Sequence, residues 1–333
     1  MTHNNSPKVS WFNTYSARLA KIMPAWLKCW WQVIHESLTS WIDHRSSSKG
    51  AALAFYTLFS LTPILILAIA VAGYFFGVKA AQGQIIQEIR YLVGPNGANA
   101  IQALLAAARD PAGGLLATMV AGVLLLIGAT SVFSELKASL DELWGVPKSR
   151  LSPVSVLLRT RLLSFGLVIV LTLLLMISLI VSAALTMLEH YAGGVWSRSA
   201  VLFSLMSALV SFGVIACLFA VIYKTLPDAP LSWGDVAMGA VFTAILFALG
   251  KYVIGLYLGN SAVASGFGAA GSVVALLLWV YYSAQIFFLG AEFTRQYALR
   301  FGSMQDQKER QLALDKVLAK PLPKVVSDAS AKP

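Results

Sequence analysis

Charge is what this chain lacks most: only 12% of its 333 residues are Asp, Glu, Lys or Arg, about half the share found in soluble domains. Such a chain cannot cover a globular surface with ionised groups, which excludes an ordinary soluble fold. Cysteine is almost missing as well. Cys29 and Cys217 fall in segments expected at different membrane depths, so neither a disulfide framework nor a CxxC redox or zinc motif is available. The four histidines, His3, His35, His44 and His190, lie outside the long apolar runs or at their edges, without HxH or HExxH spacing. No metal or other cofactor is therefore expected. Ser261 and Ser265 sit in a glycine-rich stretch with no histidine at a matching depth to act as base, and no phosphate-cradling glycine loop runs into Lys and Ser or Thr. An enzyme, and an ATPase in particular, is not expected. The first fifty residues hold no short apolar core followed by a cleavage site, so the first long apolar run is expected to serve as the targeting signal.

What the chain has instead is apolar length. Hydrophobic residues make up 58% of it and the mean hydropathy is +0.72, surface that a bilayer absorbs on the outside of spanning helices. Six runs approach or exceed the roughly 20 residues needed to cross the hydrocarbon: Ala51 to Phe76, Leu115 to Phe133, Leu162 to Leu188, Ala200 to Tyr223, Val236 to Leu258 and Ser272 to Phe293. The predicted fold class is all-α, a polytopic membrane helix bundle with six transmembrane helices plus interfacial amphipathic helices. Residues 1–49 form a cytoplasmic segment with one interfacial helix, 50–300 the membrane domain and 301–333 a cytoplasmic, partly disordered tail. Twenty of the 25 Lys and Arg fall on one predicted face and four on the other, with Lys251 inside a span. The positive-inside rule then predicts that both termini are cytoplasmic. The net charge of +10 is explained by this bias and needs no nucleic-acid partner.

The connecting segments carry helical patterns of their own. Trp30, Ile34, Leu38 and Trp41 recur at helical spacing, with Lys28, Gln32, Glu36 and Asp43 between them, as in a helix lying in the headgroup zone or packed on the cytoplasmic end of the bundle. Between the first two spans, Ile85, Ile89 and Leu92 make one stripe and Ile101, Leu104, Leu105 and Ala108 another. Gly94-Pro95-Asn96-Gly97 separates them, which predicts two short helices over the outer mouth of the bundle. After the second span Phe133, Leu136, Leu140, Leu143 and Trp144 form an amphipathic stripe, with Pro147 expected to end the helix.

A few side chains stand out against this background. Pro63 lies inside the first span, where it removes a backbone donor and predicts a kink, hence a candidate hinge. Lys251 is the costliest residue for a bilayer, about 2.5–3.5 kcal/mol on insertion scales, and either faces a cavity or snorkels outward. In the last span Tyr281, Gln285, Phe288 and Glu292 follow helical spacing, with Tyr282 beside them. Together with Lys251 they make a candidate substrate path. Depth separates Lys251 from Glu292 by roughly 20 Å, so Glu292 is expected to pair with Arg295 or Arg161 instead. Arg159 and Arg161 are candidate contacts for lipid phosphates, though orientation alone accounts for them. Gly255 and Gly259 form a GxxxG pair read as a close helix approach.

Three stretches, AALAFYTLFSLTPILIL (51–67), GATSVFSELKASLDELWGV (128–146) and GKYVIGLYLGNSAVASGFGAAGSVVALLLWVYYSAQIFFLGAEFTRQYA (250–298), make this chain resemble the YihY/BrkB family of bacterial inner-membrane proteins. The resemblance implies six spans with cytoplasmic ends and brings no catalytic residue with it. Some relatives have carried the name ribonuclease BN, and others a role in serum resistance or in export of lipid or lipopolysaccharide precursors. A metal-dependent nuclease needs a histidine and aspartate cluster in water that this sequence does not provide. The expected function is transport or flipping of a lipid or small amphiphile without an ATPase of its own, with a scaffolding role in the envelope as the alternative. Membrane lipids are the expected partners, and a second copy of the chain or another envelope protein remains open.

Overall fold

A computed structural model describes residues 24–109, 131–146, 199–260 and 271–305, with isolated positions between 166 and 187. Among the described residues all regular structure is helical. In chain order the helices are α1 (Ala25–Asp43), α2 (Ser46–Phe76), α3 (Val78–Arg109), α4 (131–143), α5 (Ser199–Thr225), α6 (Trp233–Asn260) and α7 (Gly271–Phe301).

Three of them contain stretches long and apolar enough to cross a membrane: Ala208–Thr225, Trp233–Tyr257 and Gly271–Phe301. A fourth is available in α2, whose arms Ser46–Thr62 and Ile64–Tyr74 meet at 45°. The bend falls at Pro63, where the ring leaves the preceding turn short of a hydrogen bond; it shows a kink, which is not in itself a hinge. The runs predicted at Leu115 to Phe133 and Leu162 to Leu188 lie outside the described residues, apart from 131–133 and scattered positions. The described part therefore accounts for three or four of the six expected spans. Arg159, Arg161 and the glycine-rich return at 261–270 also lie outside it.

Helix α7 is the hub. It packs against α6, α2, α1 and α3, and from Ala284 to Leu299 most of its side chains are buried. Its carbonyls accept hydrogen bonds from other helices as well as from its own. Trp144, just past α4, donates its indole Nε1–H to the Ala291 carbonyl at 3.2 Å, and the Tyr223 hydroxyl of α5 donates to the Phe287 carbonyl at 2.7 Å. The predicted stripe of Phe133, Leu136, Leu140, Leu143 and Trp144 is buried in this same core.

The α6–α7 contact has a simple sequence basis. Each helix carries Gly-x-x-x-Thr, at Gly239/Thr243 and at Gly290/Thr294, and the antiparallel pairing sets each glycine under the other helix's threonine. A Cβ on Gly239 would fall inside Thr294, and one on Gly290 inside Thr243. Both threonine hydroxyls donate back to the carbonyl four residues earlier, Thr243 to Gly239 and Thr294 to Gly290, each at 2.7 Å. Each hydroxyl is thus satisfied within its own helix while it sits over the other helix's glycine, which only a residue without a Cβ permits. The predicted close approach at Gly255 has no partner among the described residues: a Cβ there meets nothing of them within 4 Å, and Gly255 is on the exposed side of α6.

Two further expectations are corrected. Residues 78–109 form one continuous helix rather than a broken pair. Ile85 and Ile86 before the Gly-Pro-Asn-Gly sequence, and Ala100, Ile101 and Leu105 after it, close on the same apolar cluster with Leu65, Ala68 and Ile69 of α2. That burial outweighs the local cost of one proline, about 3 kcal/mol. Helix α4 ends at Gly145 and not at Pro147. Gly145 adopts φ 66° and Val146 N–H returns to the Asp141 carbonyl at 2.8 Å, the left-handed termination that glycine favours.

Gly290→Ala is expected to lower stability by about 1–3 kcal/mol through overpacking against Thr243. Gly255→Ala should be neutral or slightly stabilising, since alanine is the better helix former by about 1 kcal/mol. Thermal denaturation of the two variants in the same detergent checks the contrast.

Candidate functional site

Two polar places flank α7, on different faces. The first is a recess between α6 and α7, lined by Phe247, Lys251 and Ile254 on one side and Trp279, Tyr282, Ser283 and Ile286 on the other. Its empty volume, open mouth included, is about 150 Å³. Gly250 creates it by close approach, since a Cβ there would collide with Ile286 and Tyr282. The Lys251 ammonium lies 5.4 Å from the ring centroid of Tyr252. Tyr252, Val253, Leu256 and Tyr257 beside it are exposed, a surface suited to lipid. An ammonium, an indole and two hydroxyl-bearing side chains in low dielectric favour a small anionic or polar group.

The second place lies along the α1–α7 contact. Gln32, Glu36, Ser40 and His44 recur one turn apart on α1 and its end, and Glu292, Gln296 and Arg300 do so on α7. Run antiparallel, they form a ladder. Arg300 bonds Gln32 and lies 3.6 Å from Glu36, Gln296 donates to Ser40 Oγ at 2.9 Å, and His44 Nδ1 is 2.6 Å from Glu292 Oε1. Trp30 of α1 stacks on Phe293 with centroids 6.3 Å apart and also meets Tyr297 and Phe301. The polar side of α1 therefore faces protein, while Trp31, Leu38 and Ile42 point outward and exposed. Helix α1 packs on the bundle through Trp30 and Trp41 of its predicted stripe and leaves Trp31, Leu38 and Ile42 exposed.

The candidate path residues are consequently divided. Lys251 and Tyr282 share the recess. Gln285 turns the other way, to α2, where its Nε2 is 3.4 Å from the Ser47 carbonyl. Glu292 is 0% exposed and ten residues beyond Tyr282, about 15 Å along the helix. Tyr281 is half-buried. Among the described residues Glu292 is met by His44 and not by Arg295, whose Nε is buried with no hydrogen-bond partner among them, while Arg161 lies outside the described residues. The turn that delivers His44 is built by Arg45, whose left-handed φ of 53° separates α1 from α2. The i, i+4 recurrence of polar residues on both helices is the signal that would have revealed this register.

Other buried polar groups fasten the same end of the bundle. Lys137, 8% exposed, reaches Asp141 at 3.0 Å, Asp228 at 2.9 Å and the Leu226 carbonyl at 3.2 Å. Lys49 bonds Glu142 and the His44 carbonyl, each at 2.9 Å. Asp235, in the first turn of α6, accepts from Ser303 N–H at 3.0 Å and Ser303 Oγ–H at 2.6 Å, tying α6 to the end of α7.

Helices of spanning length, buried polar ladders between them and apolar outer faces define an integral membrane helix bundle. The family described as Virulence factor BrkB matches residues 37–313, and the chain belongs to that family. It is 24% identical over 279 residues to a UPF0761 membrane protein of Acinetobacter baylyi, covering 84% of this chain and 65% of that one. A UPF0761 membrane protein of Pseudoalteromonas translucida is 25% identical over 289 residues, covering 86% and 90%. One of Alcanivorax borkumensis is 27% identical over 276 residues, covering 81% and 61%. The chain thus spans less than two thirds of the Acinetobacter and Alcanivorax proteins. No solved structure matches it.

The two lysine sites differ in burial, and stability should follow. Lys137→Met strips Asp141 and Asp228, whose side chains are 23% and 35% exposed, of a shared buried cation and is expected to cost about 1–3 kcal/mol. Loss of the Lys49–Glu142 pair, whose acid is 64% exposed, should cost about 0–1 kcal/mol; this is read from Glu142→Gln, which leaves the Lys49 bond to His44 in place. Parallel melting curves give the ranking.

Proposed function

We propose that this protein moves a lipid or small amphiphile across the bacterial inner membrane, without enzymatic chemistry or an ATPase of its own. The recess between α6 and α7 carries the reading: a membrane-depth ammonium beside an aromatic wall, opening next to an exposed apolar face. The recess is shallow, so an anionic headgroup would meet the Lys251 ammonium at its open side while an acyl chain stays outside, against Tyr252, Val253 and Leu256. Such a division fits a carrier that shields the polar end of an amphiphile while its tail stays in lipid. The charge asymmetry of the sequence supports cytoplasmic termini.

A scaffolding role is the competing reading, favoured by the exposed stripe of Trp31, Leu38 and Ile42 on α1, which suits either lipid or another helix, including that of a second copy.

The deciding experiment is reconstitution in proteoliposomes with fluorescent anionic phospholipid. Wild type is expected to accelerate exchange between leaflets, Lys251→Ala to reduce the rate about tenfold or more, and Lys251→Arg to retain most of it. No movement of labelled lipid or of small osmolytes, together with full function of Lys251→Ala in cells, would overturn the reading.

A further inference from the structure

The recess does not use Glu292, and a fully buried carboxyl beside a partly exposed imidazole calls for its own explanation. We propose that His44 and Glu292 form a proton-binding site, loaded from the surrounding water through His44.

Geometry carries the inference. Glu292 is 0% exposed and its Oε1 is 2.6 Å from His44 Nδ1, while its Oε2 is buried with no hydrogen-bond partner among the described residues. A permanent structural carboxylate in such a place is expected to have donors on both oxygens, because an ionised group out of water is costly unless fully met. A carboxyl that takes up a proton is easier to neutralise where one oxygen has no donor holding the charged form. His44 is 29% exposed, so it joins water to the buried acid. Imidazole can relay a proton between its two nitrogens. A proton arriving from hydronium on Nε2 gives the imidazolium, the Nδ1 proton passes to Glu292 Oε1, and the ring is left neutral with its tautomer exchanged. Net, one proton moves from water to the carboxyl and no other bond changes.

The surrounding charges leave this pair to itself. The Lys49 ammonium of α2 meets His44 at its backbone carbonyl and is paired with Glu142 of α4. On α1, Glu36 faces Arg300 and Asp43 is exposed. On α7, Arg295 makes no hydrogen bond to Glu292. From α5, Tyr223 bonds the Phe287 carbonyl; from α6, Asp235 is held by Ser303; and α3 reaches α7 around Leu276, toward its other end. Because His44 forms the joint between α1 and α2, proton binding changes whether the start of the bent helix is tied to α7 by an ion pair or by a neutral hydrogen bond. A proton gradient would then be the energy source for the movement proposed above. That last step rests on the transport reading, whereas the site itself does not.

The test uses the full chain in lipid nanodiscs, with carbon-13 in glutamate carboxyls and nitrogen-15 in histidine rings, followed by magnetic resonance from about pH 5 to about pH 9. One carboxyl signal, assigned by its loss in Glu292→Gln, is expected to move with pH in step with the His44 Nδ1 signal. In His44→Gln, which keeps a donor at the joint, its midpoint should shift by about one pH unit or more, a tenfold change in proton affinity. A Glu292 signal that is constant across the range, or one with the same midpoint in His44→Gln, overturns the proposal. Proteoliposomes then separate the two claims: lipid movement insensitive to a pH gradient, despite a titrating Glu292, removes the coupling and leaves the proton site. Absence of any lipid movement removes the transport reading and leaves the titration result unaffected.

Discussion

Inside a bilayer a polar side chain that finds no protein partner has no water to fall back on, and this constraint shapes α7 more than any other helix described. Its buried half carries Glu292, Thr294 and Gln296 among large apolar side chains, and each polar group is met in a different way. Thr294 is satisfied by its own helix, Gln296 by Ser40 of α1, and Glu292 on one oxygen by His44. The partners come from elements far apart in the chain, so satisfying α7 fixes where α1, α2, α5 and α6 lie around it. Packing follows the same logic, with glycines at 239, 250 and 290 admitting neighbours that a Cβ would exclude.

From this arrangement two polar places emerge with different characters. The Lys251 recess sets an ammonium among aromatic side chains and stands beside apolar exposed surface. The His44–Glu292 pair is closed on the protein side and reaches water only through the imidazole, so it suits nothing larger than a proton. Their separation along α7, about 15 Å from Tyr282 to Glu292, makes direct electrostatic contact weak. Any communication between them passes through the helix that both share, and the bent α2 packs on that helix between its joint at His44 and its kink at Pro63.

Much of the framework was legible from the sequence because apolar length is a blunt signal. The runs beginning near Ala51, Ala200, Val236 and Ser272 each correspond to a helix, the first starting five residues earlier and the last running eight residues further than predicted, and the stripe from Phe133 to Trp144 is the face of α4 that is buried. Register was not legible. Glu292 and His44 are 248 positions apart, and depth arithmetic that treats loops as lying outside the bundle hides a partner sitting at a helix end. The Gly-Pro-Asn-Gly sequence at 94–97 was read as a break because local propensity favours one, whereas burial on both sides of it keeps the helix whole. Gly255 looked like a packing glycine from its spacing, while the operative signal was a glycine four residues before a threonine on both partners. Whether the recess carries a substrate is a matter of chemistry at the site, which a spacing pattern cannot encode.

The account stands on α7 being the surface against which the first arm of α2 is laid. At their contact, a Cβ placed on Gly50 lies 3.6 Å from the Cβ of Ala284, close to the roughly 3.8 Å mean of disulfides, and only the end of the Gln285 side chain must move aside. The direct measurement is disulfide trapping of Gly50→Cys with Ala284→Cys in native membranes, with Cys29 and Cys217 replaced by serine. The account predicts an intramolecular cross-link under mild oxidation, reversed by reductant and absent from either single variant. Failure of the pair to cross-link, with both thiols present in a folded protein, would contradict it.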